Sequence, residues 1–297
     1  MAPIKFERIL CPIDFSEFSV AAYEYASSLA QRYGAKLFVQ HVIEMWRRPS
    51  AYFSVRVDLY AEFLQLFLTR AEEELQNFVR SHEHDGVRPE RVIREGLATD
   101  GILSLADEQT ISLIVMGTHG RRGFDRLMLG SVTERVLREA HCPVLAVREP
   151  PRNFVASATA RHSIELRRIL FCTDFSDYSN QAVDYALSLA AEHNSELTLL
   201  HVLEDTPESA RVKEKIAKAN EVLRKLLPPE AHKRYRIATT VRIGQAYKEI
   251  VQLASEMDAD LVIMAVRGRN ALDLVVFGST TYRVIQLGTC PVLAVHL

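Results

Sequence analysis

Several kinds of signal are missing from this 297-residue sequence, and each absence removes a class of function. The formal charge is only −2, so no global field draws nucleic acid or an anionic membrane, and any basic site has to be local. No apolar run approaches the roughly 20 residues that a bilayer demands, so no membrane role is expected. The opening stretch MAPIKFERILCPIDFS carries charges where a secretory signal needs its apolar core, which points to the cytoplasm. The four cysteines, Cys11, Cys142, Cys172 and Cys290, form no CxxC or CxxH pair, so structural zinc is not expected. Each lies in or beside an apolar run and reads as a small buried hydrophobe.

What the sequence does contain is an internal repeat. RILCPIDFSEFSVAAYEYASSLAQRYGAKLFVQHVIE, residues 8–44, returns as RILFCTDFSDYSNQAVDYALSLAAEHNSELTLLHVLE, residues 168–204. The segments 94–120 and 242–268 match in the same way, as do HCPVLAVR at 141–148 and TCPVLAVH at 289–296. The offset falls from 160 to 148 between these blocks, which places a 12-residue insertion in the first half, between His41 and Arg94. Two similar domains, 1–149 and 164–297, are therefore expected, joined by a linker at 150–163 that is rich in small polar residues.

Apolar runs alternate with segments of helical spacing in each half. In the first half strands are expected at RILCPI, KLFVQHVI, RPERVIREG, ISLIVMG and CPVLAVR, with helices at 17–33, 58–81, 99–109 and 131–140. The pattern predicts an α/β fold of two tandem open sandwiches, each a five-stranded parallel sheet with four helices. Ligands of such sheets settle beyond the carboxyl ends of the strands, where the topology reverses, so the loops after the first and fourth strands are the places to look.

The fourth-strand loop is MGTHGRRGFDRLMLGS, residues 116–131, with a near-copy MAVRGRNALDLVVFGS at 264–279. It contains neither GxxxxGK[ST] nor GxGxxG. Glycine tolerates positive φ and lets backbone amides approach a ligand, so Gly117, Gly120 and Gly130 are candidates for an amide nest around phosphate. Gly130 and Ser131 would set the next helix's N-terminus against the anion, although Ser131 to Glu134, SVTE, also reads as a capping box. His119, Arg121, Arg122 and Arg126 add local positive charge. Asp14 in the first-strand loop, and its twin Asp174, are either cap and turn formers or carboxylates for a ribose diol.

The pattern G-x2-G-x9-G-[ST] at Gly117, Gly120, Gly130 and Ser131, together with PIDFSE, HV and the closing CPVLAVR, resembles the universal stress protein family in its tandem form. The resemblance implies a Rossmann-like domain, akin to the adenine nucleotide alpha hydrolases, that in the family's nucleotide-binding branch holds ATP or AMP, with or without magnesium. It implies that Asp14 meets the ribose, the backbone at Val42 reads the adenine edge, Gly117 lies beside the ribose, and Gly120, Gly130 and Ser131 cradle the phosphates. It also implies pairing of the last strands PVLAVR and PVLAVH into an intrachain pseudo-dimer, leaving a further homodimer open. The second half keeps Asp174, Val202, Gly268, Gly278 and Ser279 but has Ala265 where the pattern wants glycine, so weaker or no binding is expected there. A slow ATPase and a nucleotide-free interaction scaffold remain as alternatives. HxGH and KMSK signatures are absent, and His119 is the sole candidate general base on the loop. The protein partner is not identified by the sequence.

Overall fold

A computed structural model describes the chain except residues 1–3, 45–56, 84–85, 121–128, 149–153, 158–159, 205–211, 267–277 and 297, with backbone alone at 57–63, 154–157 and 160–163. Arg121, Arg122, Arg126 and Gly268 lie outside the described residues, as do residues 45–56 in the segment that carries the first-half insertion. The first half runs β1 (Arg8–Pro12), α1 (Glu17–Tyr33), β2 (Lys36–Ile43), α2 (Val57–Ser81), β3 (Glu90–Glu95), α3 (Ala98–Glu108), β4 (Leu113–Gly117), α4 (Ser131–Glu139) and β5 (Val144–Val147). The expected linker carries an antiparallel pair, β6 (Phe154–Ser157) with β7 (Ala160–Ile164), where an irregular stretch was expected.

The second half repeats the order as β8 (Arg168–Cys172), α5 (Asp177–His193), β9 (Glu196–Leu203), α6 (Val212–Lys225), α7 (Pro229–Arg234), β10 (Arg236–Ile243), α8 (Ala246–Glu256), β11 (Leu261–Ala265), α9 (Ser279–Leu287) and β12 (Val292–Val295). It has five described helices where four were expected. The reason is local: Pro228 and Pro229 cannot continue α6, and they start the short α7, with Pro228 as its N-cap. Where the first half has the 25-residue α2, the second has this broken pair.

Strands pair in parallel within each half, and β12 pairs antiparallel with β5 through Val292 with Ala146, Leu293 with Leu145 and Ala294 with Val144. The result is one ten-stranded sheet ordered β10-β9-β8-β11-β12-β5-β4-β1-β2-β3. Alternate residues of each strand feed two cores, one on either face. Leu10, Ile114 and Met116 face α3 and α4, while Ile9, Leu113 and Val115 face α1. Helices α1 and α5 end on residues in the left-handed region, Gly34 (φ 62°) and Asn194 (φ 53°), which is the usual C-terminal stop.

The two halves clasp each other about a pseudo-twofold axis. The Ile4 amide donates to Ser188 Oγ at 2.9 Å, and the Ile164 amide donates to Ser28 Oγ at 2.8 Å; each residue of one bond corresponds to its counterpart in the other. Arg148 donates to the Gln286 carbonyl at 2.6 Å, and His296 Nε2 donates to that of Leu137 at 2.7 Å. Such reciprocal contacts are the mark of an isologous interface, here within one chain.

Candidate functional site

Strand order reverses between β1 and β4, so the carboxyl ends of these two strands, where their loops leave the sheet, are where a ligand crevice is expected. The β1 loop is held by its own polar side chains. Asp14 Oδ1 accepts from the Ser16 amide at 3.0 Å and from Ser16 Oγ at 2.6 Å, and Ser16 Oγ accepts from the Ser19 amide at 3.3 Å. Ser16 is therefore the cap of α1, and Asp14 orients it. Phe15 between them sits at φ 63°, a rare conformation for a bulky residue that the surroundings must hold in place. One support is His41 on β2, whose Nδ1 donates to the Ile13 carbonyl at 2.7 Å while its ring packs 4.7 Å from that of Phe15.

The second half builds the same loop. Asp174 Oδ1 accepts from the Ser176 amide and Oγ at 3.0 and 2.6 Å, Phe175 has φ 61°, and His201 Nδ1 donates to the Thr173 carbonyl at 2.8 Å. Neither the φ outliers nor the bracing histidines were found from sequence, although the repeated HV after an apolar run was their visible trace.

The glycines of the β4 loop act by close approach. None of Gly117, Gly120 and Gly130 has positive φ, so of the two reasons for glycine offered by the sequence it is close approach that these positions use. A Cβ on Gly117 would lie 2.8 Å from the backbone carbon of Phe18, so the first turn of α1 rests directly on the end of β4. A Cβ on Gly120 would lie 2.7 Å from Asp14 Oδ2, which brings the two loops together at the carboxylate. Gly130 returns the chain to the sheet: its amide donates to the Thr118 carbonyl at 2.8 Å, and a Cβ would lie 3.2 Å from that oxygen. Thr133 Oγ1 completes the turn by donating to the Gly117 carbonyl at 2.8 Å.

The capping-box reading of Ser131 is also corrected. Gly130 is the N-cap of α4, Ser131 is its first helical residue and is exposed, and no side chain caps the helix. The same holds at α9, where Gly278 is the N-cap and Ser279 follows. Glycine has no side chain to offer the first-turn amides, so no side chain of the N-cap satisfies these donors. His119 is not a solvent-facing cation: it is buried, its Nδ1 lies 2.9 Å from Thr118 Oγ1, and its ring packs 4.9 Å from that of Phe18. Val42 and Val202 are half-buried at the ends of β2 and β9, beside their bracing histidines. Burial raises the Cys11 and Cys172 thiols and pushes Cys142 up to about 12, so these cysteines supply no thiolate nucleophile.

The sequence profile of the universal stress protein family matches residues 5–148 and again 165–296. The chain belongs to this family. Its first and second matched segments are tandem copies of one family domain. Universal stress protein MJ0531 of Methanocaldococcus jannaschii is 31% identical over 148 residues, half of this chain and 85% of that protein. Universal stress protein YxiE of Bacillus subtilis is 31% identical over 147 residues, covering 48% of this chain and 99% of that protein. Among solved structures, a universal stress protein from Archaeoglobus fulgidus superposes with a TM-score of 0.69 over 98% of this chain and 97% of its own, at 22% identity, which establishes the tandem fold.

Proposed function

We propose that the first half binds ATP or AMP in the cleft between the β1 and β4 loops, and that occupancy biases the packing of the two halves or a partner surface in a cytoplasmic stress response. The observation that carries this reading is the meeting of Asp14 with the Gly120 backbone, next to a helix that starts without a side-chain cap. A carboxylate suits a ribose diol, and uncapped amides suit phosphate. Asp14, Gly117, Gly120, Gly130 and Ser131 would hold the ribose and phosphates, and the Val42 backbone would read the base. Magnesium would travel with the phosphates, since no group of three or more potential ligand side chains gathers among the described residues.

Binding is favoured over hydrolysis by the setting of His119. Buried against Phe18 and engaged with Thr118, it is poorly placed to accept a proton from an attacking water. In the second half Asp174, Val202, Gly278 and Ser279 keep their places, but Ala265 buries a methyl group at the strand end.

Native mass spectrometry of the full chain with excess ATP, and separately AMP, tests the proposal by counting. One nucleotide per chain is expected, with a dissociation constant in the micromolar range, about −7 to −9 kcal/mol. Gly120→Val, which drives a side chain into Asp14, is expected to abolish that occupancy. No binding by the parent protein at millimolar nucleotide would overturn the reading.

A further inference from the structure

Gln40 lies on β2 between Pro12 of β1 and Val92 of β3, two residues before Val42 and on the same face of the sheet. It is 1% exposed. Its Nε2 donates to the Gly101 carbonyl on α3 at 2.7 Å. A carbonyl can only accept, so this bond fixes which end of the amide is nitrogen and leaves Oε1 as an acceptor. That oxygen is buried with no hydrogen-bond partner.

A buried, unpaired carbonyl costs stability, and the fold does not demand it. The equivalent residue of the second half is Leu200, also 1% exposed, in the same register opposite Cys172 that Gln40 has opposite Pro12. The partner position on the helix differs too. Gly101 sits in the interior of α3, where glycine is unfavourable, and its counterpart is Glu249. A Cβ on Gly101 would lie 3.0 Å from Val42 Cγ2 and 3.6 Å from Gln40 Nε2, so the glycine lets α3 close on both residues at once. The first half alone thus carries a buried amide, braced from the helix, beside the residue proposed to read the base.

We infer that Gln40 is a specificity residue of the first cleft, its Oε1 taking a hydrogen from the exocyclic amine of a 6-aminopurine. The inference rests on the reading that this cleft binds an adenine nucleotide. A 6-oxopurine brings an acceptor to the same place, sets oxygen against oxygen, and is rejected. A site that leaves a buried polar group unpaired discriminates strongly against the analogue lacking its partner.

Calorimetric titration of the full chain with AMP and with IMP, in the parent protein, Gln40→Leu and Gln40→Met, tests this. The parent is expected to prefer AMP, and the leucine variant, which copies the second half, is expected to lose about tenfold of that preference through weaker AMP binding. Gln40→Met provides the same readout from a flexible side chain of similar length should the leucine variant fail to fold. An unchanged AMP-to-IMP ratio in a folded variant overturns the inference and makes Gln40 a tolerated buried amide. Absence of any nucleotide binding by the parent overturns the proposed function as well, so the two failures are distinct.

Discussion

Gly117 and Ala265 end equivalent strands, and the helices that follow β1 and β8 meet them differently. In the first half the start of α1 lies so close that a Cβ on Gly117 would overlap the Phe18 backbone at 2.8 Å, and Phe18 packs on His119. In the second half the methyl of Ala265 is buried, and Tyr178, the counterpart of Phe18, is 36% exposed. Both halves nevertheless keep the same carboxylate, serine and φ outlier in the loop before the helix. The loop geometry is thus a property of the fold and does not by itself mark a working site. What separates the halves among the described residues is how tightly the helix and the strand end close on one another.

The sharpest way to break this comparison is to exchange the two residues. Gly117→Ala forces α1 away from β4 and is expected to cost about 1–3 kcal/mol of stability, the usual penalty for overpacking. It should also lower nucleotide occupancy in the first half. Ala265→Gly is expected to raise occupancy from about one per chain toward two, counted by native mass spectrometry with excess ATP. Two nucleotides per parent chain would refute the asymmetry. One per chain in both parent and Ala265→Gly would place the cause elsewhere in the second cleft.

These positions also show where sequence reading succeeds and stops. The strands and helices of the first half were legible because apolar runs of strand length alternate with helical spacing, and the repeat checked each assignment against its copy. The glycine loop was legible as a site, but the reason for its glycines was not. Positive φ is a local property that sequence suggests, whereas the contact of Gly117 with Phe18 joins segments far apart in the chain. The same limit explains the misread cap: SVTE has the capping-box pattern, yet the turn made by Gly130 with Thr118 moves the helix start so that Ser131 lies inside it. The extra helix α7 had a visible signal in Pro228-Pro229, which cannot continue α6 and start the next helix.

A second comparison uses the bracing histidines. His41 and His201 each hold the carbonyl two residues before Phe15 or Phe175 and pack on that phenylalanine ring, 4.7 Å and 4.1 Å between centroids. His41→Ala and His201→Ala are both expected to destabilise the protein by about 1–2 kcal/mol, since each leaves a sheltered carbonyl without its donor. Only His41→Ala should weaken nucleotide binding, because only its loop positions the carboxylate of the cleft proposed to bind nucleotide. Chemical denaturation and calorimetry on the same samples separate the effects. Equal loss of binding in both variants would mean that the second half contributes to the bound state.

The smallest effect concerns the clasp at the pseudo-twofold axis, where symmetry of sequence position does not bring symmetry of burial. Ser28 receives the Ile164 amide in a buried setting, whereas Ser188 receives the Ile4 amide where water still has partial access. Removing either hydroxyl deprives one amide of its acceptor, but at Ile4 water can substitute for it. Ser28→Ala is therefore expected to cost about 1–2 kcal/mol and Ser188→Ala less than about 1 kcal/mol, read as shifts in the denaturant midpoint of the full chain at unchanged slope. A larger loss for Ser188→Ala would show that the N-terminal segment, and not the buried join at the end of β7, is the stronger hold between the halves.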